Sequence, residues 1–152
     1  MSFFGGEIMK SVILKTKAGV MIPKYETEGS SGMDIRAWIE DPLVLCPGKR
    51  LLVSTGLFIQ LPEGVEAQIR ARSGLAVKFG IGLVNGIGTI DSDYRGEIMI
   101  PLINWGDSDF TVNKNDRIAQ IVFCKYEKVS WSIVESLEGT KRGFGGFGHT
   151  GV

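Results

Sequence analysis

The chain has 152 residues, and 21 of them are glycine, which is about twice the average share. With only five prolines and no Gly-X-Y period, a collagen-like or a low-complexity chain is excluded. The 17 basic and 17 acidic side chains cancel. This balance argues against a nucleic acid or an anionic membrane surface as a partner, because both attract a basic face.

The length predicts a single domain over residues 1–152. Residues 1–8 lack the basic and apolar regions of a secretory signal, and no apolar run is as long as the roughly 18 residues of a membrane helix. We therefore expect a cytoplasmic protein that has no membrane partner, with residues 1–8 as a possible extension. Cys46 and Cys124 are too few for a disulfide scaffold, and their apolar neighbours predict buried free thiols.

Short apolar segments with β character follow one another along the chain. They cover residues 8–14, 43–46, 50–61 with a break at Gly56, 65–72, 97–104, 117–126 and 129–134. Turn residues recur between these segments, which is typical of an all-β sandwich or barrel. The segment 65–72 alternates apolar and polar side chains, which predicts a half-buried strand.

The segment 97–104 is apolar on both faces, which predicts burial on both sides, inside a sandwich or against another subunit. Pro101 within it is expected at a bulge or an edge, because proline cannot donate to a sheet ladder. Only residues 73–79, ended by Gly80, show a helical pattern. Residues 139–152 are expected to form a flexible tail, since five of the ten residues 142–151 are glycine.

Three segments combine glycine with charged or hydroxyl side chains in a way that fits anion chemistry. Arg72, Ser73 and Gly74 stand at the start of the short helix and can form an anion cradle with its N-terminus. Taken alone, the segment is better explained by Ser73 as an ordinary helix cap. Residues 85–97 contain a hairpin-like Gly-x-Gly stretch and carboxylates that can orient a water; they also fit an acidic loop. The tail can fold over phosphates, with Phe144 or Phe147 as a stacking face, or can simply be a loose end.

Five segments together are more specific than any one of them. They are SGMDIRA from residue 31, RSGLA from 72, GTIDSDYRGEI from 88, NDRIAQ from 115 and RGFGGFGHTG from 142. In sequence and spacing they resemble the five motifs of the trimeric deoxyuridine triphosphatase (dUTPase) family, over residues 12–151. The resemblance implies an all-β, jelly-roll-like distorted barrel or sandwich with one short helix. It also implies a homotrimer whose C-terminal tail is exchanged to a neighbouring subunit.

In such a trimer, each active site takes its first, second and fourth motifs from one chain, the third motif from a second chain and the tail from the third. The implied reaction is the hydrolysis of dUTP to dUMP and pyrophosphate with Mg²⁺ on the triphosphate. It keeps uracil out of DNA and supplies dUMP for thymidylate synthesis. By this resemblance Asp91 activates the water that attacks the α-phosphorus, and Arg142 binds the γ-phosphate. Asp34 reaches the Mg²⁺ shell through water.

The resemblance also assigns residues to the nucleoside. Asn85 and the backbone of a hairpin over residues 85–90 would recognise uracil, and Tyr94 would pack under the deoxyribose and exclude a 2′-hydroxyl. Phe147 would stack on the uracil. The full set of implied substrate contacts is Arg72, Ser73, Gly74, Asn85, Gly88, Thr89, Ile90, Tyr94, Gln120, Phe147, Gly148, His149 and Thr150.

Two positions differ from the usual form of these motifs. Asn115 stands where glycine is usual, and asparagine tolerates the left-handed turn; Ala71 stands where proline is frequent. Two alternatives remain beside the dUTPase assignment. The related dCTP deaminases share the fold and the arginine-serine cradle but need a different third segment. A nucleotide-sensing regulator that binds a protein partner would leave no separate mark on the sequence.

Overall fold

The computed structural model describes residues 11–146, whose backbone is mostly β with one short helix. The elements are β1 Ile13–Thr16, β2 Gly32–Arg36, β3 Leu43–Leu45, β4 Arg50–Ser54, β5 Leu57–Gln60, β6 Val65–Arg70, α1 Ser73–Phe79, β7 Ile81–Leu83, β8 Ile87–Ile90, β9 Met99–Asn104, β10 Phe110–Val112 and β11 Arg117–Lys125. Within these residues no helix has the length and apolar character needed to cross a membrane.

The strands pair in four antiparallel groups, in the orders β2–β11–β6–β8, β4–β9–β7, β1–β5 and β10–β3. Their inner faces share one apolar core, in which Ile35, Val53, Ile69, Ile100 and Leu102 are at most 2% exposed. Because the core draws side chains from every group of strands, the described β structure packs as one unit.

Several predicted elements are confirmed. Strand β6 buries Val65, Ala67 and Ile69 and leaves Arg70 exposed, as its alternating pattern predicts. The helix begins and ends where the sequence predicts it, with Gly80 as its C-cap. The segment 50–61 is divided into β4 and β5 around its predicted break.

Pro101 was expected at a bulge or an edge, and this prediction is wrong. It lies in β9, the central strand of its sheet, in regular register with Leu52 of β4. Its carbonyl accepts a hydrogen bond from Val84 at 3.0 Å, so its nitrogen faces the same side, just past the end of β7. Proline lacks the N–H at this position, but β7 has already ended there and needs no donor from β9. The central strand therefore accommodates the proline.

The predicted strand over 129–134 is also wrong, since no strand follows Lys125 in the described part of the chain. Residues 127–144, which we call the C-terminal arm, are all exposed. A strand requires a paired neighbour, and this segment has left the sheets of its own chain.

Cys46 is exposed and Cys124 only half-buried, so the expected burial of the thiols is wrong, although both are free. The nearby Asp109 carboxylate raises the pKa of the Cys46 thiol.

Candidate active site

The first, second and fourth segments meet on the sheet β2–β11–β6. Asp34, Gln120 and Arg70 are paired in one row across these three strands. The Asp34 carboxylate forms ion pairs with Arg72 Nε at 3.0 Å and with Arg117 Nη1 at 3.3 Å. Arg72 Nη1 also donates to the Arg117 carbonyl at 2.8 Å. Two guanidinium groups around one carboxylate leave this cluster with a net positive charge, which suits an anionic ligand.

The start of helix α1 adds open backbone to this cluster. Arg72 itself occupies the N-cap position, with φ −89° and ψ 127°, and no side chain caps the helix. Ser73 is therefore not the cap, and that explanation of the segment is wrong. A Cβ placed on Gly74 would have nothing within 4 Å. Ser73 and Gly74 are exposed, and the N–H groups at the start of a helix lack partners inside the helix.

Gln120 is positioned from two sides. Its amide nitrogen donates to the Ala71 carbonyl at 3.4 Å. Its Oε1 lies so close to Gly32 that a Cβ there would be 2.8 Å away. The absence of a side chain on Gly32 thus makes room for Gln120 between the neighbouring strands.

Arg117 was not among the predicted site residues. It lies in the quoted fourth segment, but only the pairing of β11 with β2 shows that it shares Asp34 with Arg72. The turn before it is confirmed: Asn115 adopts φ 68°, and among the described residues it is the one non-glycine with a positive φ. Arg36 Nη1 donates to the Asn115 carbonyl at 2.8 Å and ties this turn to β2.

An exposed turn between β7 and β8 comes just before the third segment and contains Asn85 and Gly86. The Gly86 N–H donates to the Leu83 carbonyl at 3.0 Å, and the Ile87 N–H donates to the Asn85 carbonyl at 2.9 Å. The Asn85 amide nitrogen lies over Gly88, 3.5 Å from where a Cβ would stand. The predicted hairpin is wrong, because β7 pairs with β9 and β8 pairs with β6. The turn carries the chain from one sheet to another.

Asp91 and Tyr94 follow β8 in an exposed loop. Asp91 borders an open hollow of about 700 Å³ together with Glu66, Asp93 and Arg95. The Tyr94 N–H donates to the Asp91 carbonyl at 3.2 Å, which fixes the turn between them. Thr89 and Ile90 lead into this loop from the last positions of β8.

The structure separates Asp91 from the cationic cluster of its own chain. The row Asp34–Gln120–Arg70 continues to Ile87 on β8, and Asp91 comes four residues later. Three strand spacings of about 4.8 Å and four residues of about 3.3 Å put the Cα atoms of Asp34 and Asp91 roughly 20 Å apart. One chain therefore does not hold both groups at the same phosphorus atom.

The remaining predicted residues lie at the end of the chain. Arg142 Nε donates to the Gly145 carbonyl at 2.8 Å within its own turn. Within residues 11–146, no hydrogen bond or ion pair joins Arg142 to another predicted site residue. The predicted contacts Phe147, Gly148, His149 and Thr150 lie outside the described residues.

The donor set fits a metal ion that arrives with its ligand. No group of three or more His, Cys, Asp or Glu side chains able to hold a metal is found in the described part of the chain. Asp34 is the one carboxylate in the cationic cluster, and its side chain is 21% exposed. Mg²⁺ commonly keeps several waters and takes few ligands from the protein when phosphates supply the others.

These features define a mostly β protein that carries a cationic cluster around Asp34. The family model "dUTPase" matches residues 18–151. The chain is 53% identical over 135 residues to the deoxyuridine 5′-triphosphate nucleotidohydrolase of Finegoldia magna, covering 89% of this chain and 94% of the relative. It is 50% identical over 145 residues to the protein of that name from Fusobacterium nucleatum, covering 94% and 99%. The chain therefore belongs to the dUTPase family.

A solved structure of the dUTPase from Staphylococcus bacteriophage 80alpha with dUpNHpp has the same fold. It superposes with a TM-score of 0.86 at 22% identity and covers 95% of this chain and 100% of the phage chain. At that identity the likeness concerns the fold, and it agrees with the mostly β architecture described above.

Proposed function

We propose that this chain hydrolyses dUTP to dUMP and pyrophosphate in active sites that are shared between three copies. Membership of the dUTPase family supports the reaction, with relatives about 50% identical over nearly the whole chain. The distance of roughly 20 Å between the cationic cluster and Asp91 supports the sharing. In a closed ring of identical chains, Asp91 of one copy can reach the cluster of the next.

The triphosphate binds at the cluster of the first chain. Arg72 supplies charge, Ser73 a hydroxyl, and Gly74 an unobstructed backbone N–H, while Gln120 adds an amide. Arg117 joins this set because it already contacts Asp34 and Arg72. Positively charged groups fixed in place before binding stabilise the charge that develops in phosphoryl transfer.

Asp34 is the residue that would hold Mg²⁺, through a water molecule. When bound, the ion neutralises phosphate charge and polarises the phosphorus centre. The Asp34 carboxylate also forms ion pairs with Arg72 and Arg117, so the same cluster brings the carboxylate that would hold the metal's water close to the arginines that bind phosphate.

The second chain supplies the nucleoside contacts and the base. Asn85 with the backbone of Gly88, Thr89 and Ile90 recognises the uracil edge, and cytosine would leave these polar groups mispaired. Tyr94 packs against the deoxyribose and excludes a 2′-hydroxyl. Asp91 takes a proton from the water that attacks the α-phosphorus, in line with the departing pyrophosphate.

The C-terminal arm supports a trimer with exchanged ends. Trp131 is 93% exposed and Ile133 97% exposed, and Val129 and Leu137 are also largely exposed. Apolar side chains in such a row are typical of an interaction surface. We propose that the arm docks on a neighbouring jelly-roll-like subunit. The tail then covers an active site of that assembly with Arg142, Phe147, Gly148, His149 and Thr150.

The cytoplasmic location stays a prediction.

Pyrophosphate release tests this proposal directly. Rates on dUTP, dCTP, dTTP and UTP are compared with and without a chelator, on protein of measured molecular mass. We expect release from dUTP alone, loss of activity with the chelator, and the mass of three chains. Ammonia release from dCTP would instead favour the deaminase alternative.

The role of Asp91 has its own test. Asp91→Asn should reduce turnover by about a thousandfold or more while dUTP still binds, since the lost group acts in the transition state. Asp107→Asn, which changes an exposed carboxylate in the turn after β9, serves as the matched control. Near-normal turnover of Asp91→Asn would remove Asp91 from this role.

A further inference from the structure

Two contacts fix the Tyr94 side chain in the loop after β8. Its hydroxyl donates to the Glu97 carbonyl at 2.9 Å. The ring and hydroxyl lie directly over Gly96, where a Cβ would overlap them. The φ of Gly96 is not positive, so the backbone alone would accept alanine there. Glycine is needed at this position because of the Tyr94 side chain.

The residue that accepts this hydrogen bond is itself held firmly. The Glu97 carboxylate accepts from Lys17 Nζ at 2.8 Å, from the Gly56 N–H at 2.8 Å and from the Ser54 hydroxyl. Its side chain is 18% exposed. Partial burial by itself would raise the pKa of Glu97, but the hydrogen bonds from Lys17, Ser54 and Gly56 outweigh it and hold the pKa below its ordinary range.

The backbone next to Glu97 is attached to the same part of the fold. The Ile98 N–H donates to the Leu57 carbonyl at 2.8 Å, and the Thr55 hydroxyl donates to the Ile98 carbonyl at 2.6 Å. Residues 97 and 98 are therefore bound to the β4–β5 junction by both side-chain and main-chain hydrogen bonds. The loop between Asp91 and Gly96 lies between this anchor and β8.

We propose that Glu97 is a positioning residue that sets the place of the Tyr94 ring and so determines how strongly the enzyme prefers dUTP over UTP. This inference rests on the proposed role of Tyr94 against the sugar. The two substrates differ by one hydroxyl, and the ring excludes it only if the ring stays in place. A shift of about 1 Å in a positioning group changes rates substantially.

The experiment measures kcat/KM for dUTP and for UTP, and the ratio of the two is the readout. Glu97→Ala removes the carboxylate anchor and should lower the ratio about tenfold, mainly through faster turnover of UTP. Glu97→Gln keeps an oxygen that accepts from Ser54 and Gly56 and should retain most of the preference. The pair with the half-exposed Lys17 contributes little by comparison.

A second variant moves the ring without touching the anchor. Gly96→Ala places a methyl group where the Tyr94 ring now lies, and it should also lower the ratio. Val112→Ala, a core truncation in β10, is the control for a general loss of stability, and its ratio should equal that of the wild type. If Glu97→Ala does not fold, Lys17→Met combined with Ser54→Ala removes two of the three partners of the Glu97 carboxylate. This variant should lower the ratio in the same direction but by less, because the Gly56 N–H still donates to Glu97. Lys15→Met is the control for the lysine change.

Tyr94→Leu separates the two claims. An unchanged ratio in Tyr94→Leu would overturn the role of Tyr94 itself. A reduced ratio in Tyr94→Leu, together with a wild-type ratio in Glu97→Ala, would overturn the positioning role of Glu97 and leave the proposed function standing. Reduced ratios in Tyr94→Leu, Glu97→Ala and Gly96→Ala, with Val112→Ala unchanged, would support the proposal.

Discussion

The distance of roughly 20 Å between Asp91 and the cationic cluster of its own chain predicts that two inactive variants restore each other. Arg72→Ala damages the part of the site that the first chain supplies. Asp91→Asn damages the part that the second chain supplies. Each variant alone carries the same defect at every site, so both should be nearly inactive. Assembled together, they can form a site with an intact Arg72 and an intact Asp91.

The size of the recovery follows from the symmetry. When the two variants are produced in equal amounts and mix at random, a site is intact if its first chain has Asp91→Asn and its neighbour has Arg72→Ala. Each condition holds for half of the chains, so about one quarter of all sites are intact in a ring of three. The mixture should therefore show about a quarter of the wild-type turnover per site.

Co-expression with two different affinity tags, followed by purification on both, supplies mixed assemblies for pyrophosphate-release assays. Purification on both tags removes the rings that contain only one variant. Every remaining ring of three has one intact site, so the purified material should show about a third of the wild-type turnover per site. The matched control combines Arg72→Ala with Gln120→Ala. Arg72 and Gln120 lie close together on the same chain, so every site in that mixture keeps one defect. Its turnover should not exceed the mean of the two variants. If mixed assemblies of Arg72→Ala and Asp91→Asn also stay at their mean, the shared site is refuted.

Three further predictions concern stability. Gly56→Ala should lower the free energy of unfolding by about 2 kcal/mol or more in thermal or denaturant unfolding, because the φ of Gly56 is +67° and a Cβ would press on two side chains. Gly48 has φ +72° and open space around it, so Gly48→Ala should lower the same free energy by only about 1 kcal/mol. Asn104→Ala should cost about 3 kcal/mol, since this fully buried amide makes three hydrogen bonds to backbone groups; a wild-type melting curve would contradict this. Hydrogen bonds lower the pKa of Glu97 in the folded chain. Its contribution to the free energy of unfolding is therefore complete above the unfolded-state pKa of about 4.3 and is lost as the pH falls further. The stability difference between wild type and Glu97→Gln should thus shrink as the pH falls below about 4.3, and a constant difference would contradict the assignment.

The sequence predicted local features where one short pattern has one physical solution. The alternation in β6, the helix over residues 73–79 and the positive φ of Asn115 all depend on neighbours within a few residues. The strands β2, β7, β8 and β10 escaped prediction because they are short, and their pairing with distant strands is what holds them. The predicted strand over 129–134 is wrong for the opposite reason, since a strand pattern without a paired neighbour forms no ladder.

The five motifs, and with them the dUTPase family and the reaction, were determined by the sequence alone, because catalysis requires particular side chains at particular positions. Only the tertiary structure decided how those side chains are grouped. Register across β2, β11 and β6 joins Asp34, Arg72 and Arg117. In the same sheet, Asp91 follows β8 and therefore lies at the end opposite to this cluster. Pairing between strands that are distant in sequence sets these distances, so no local pattern contains them.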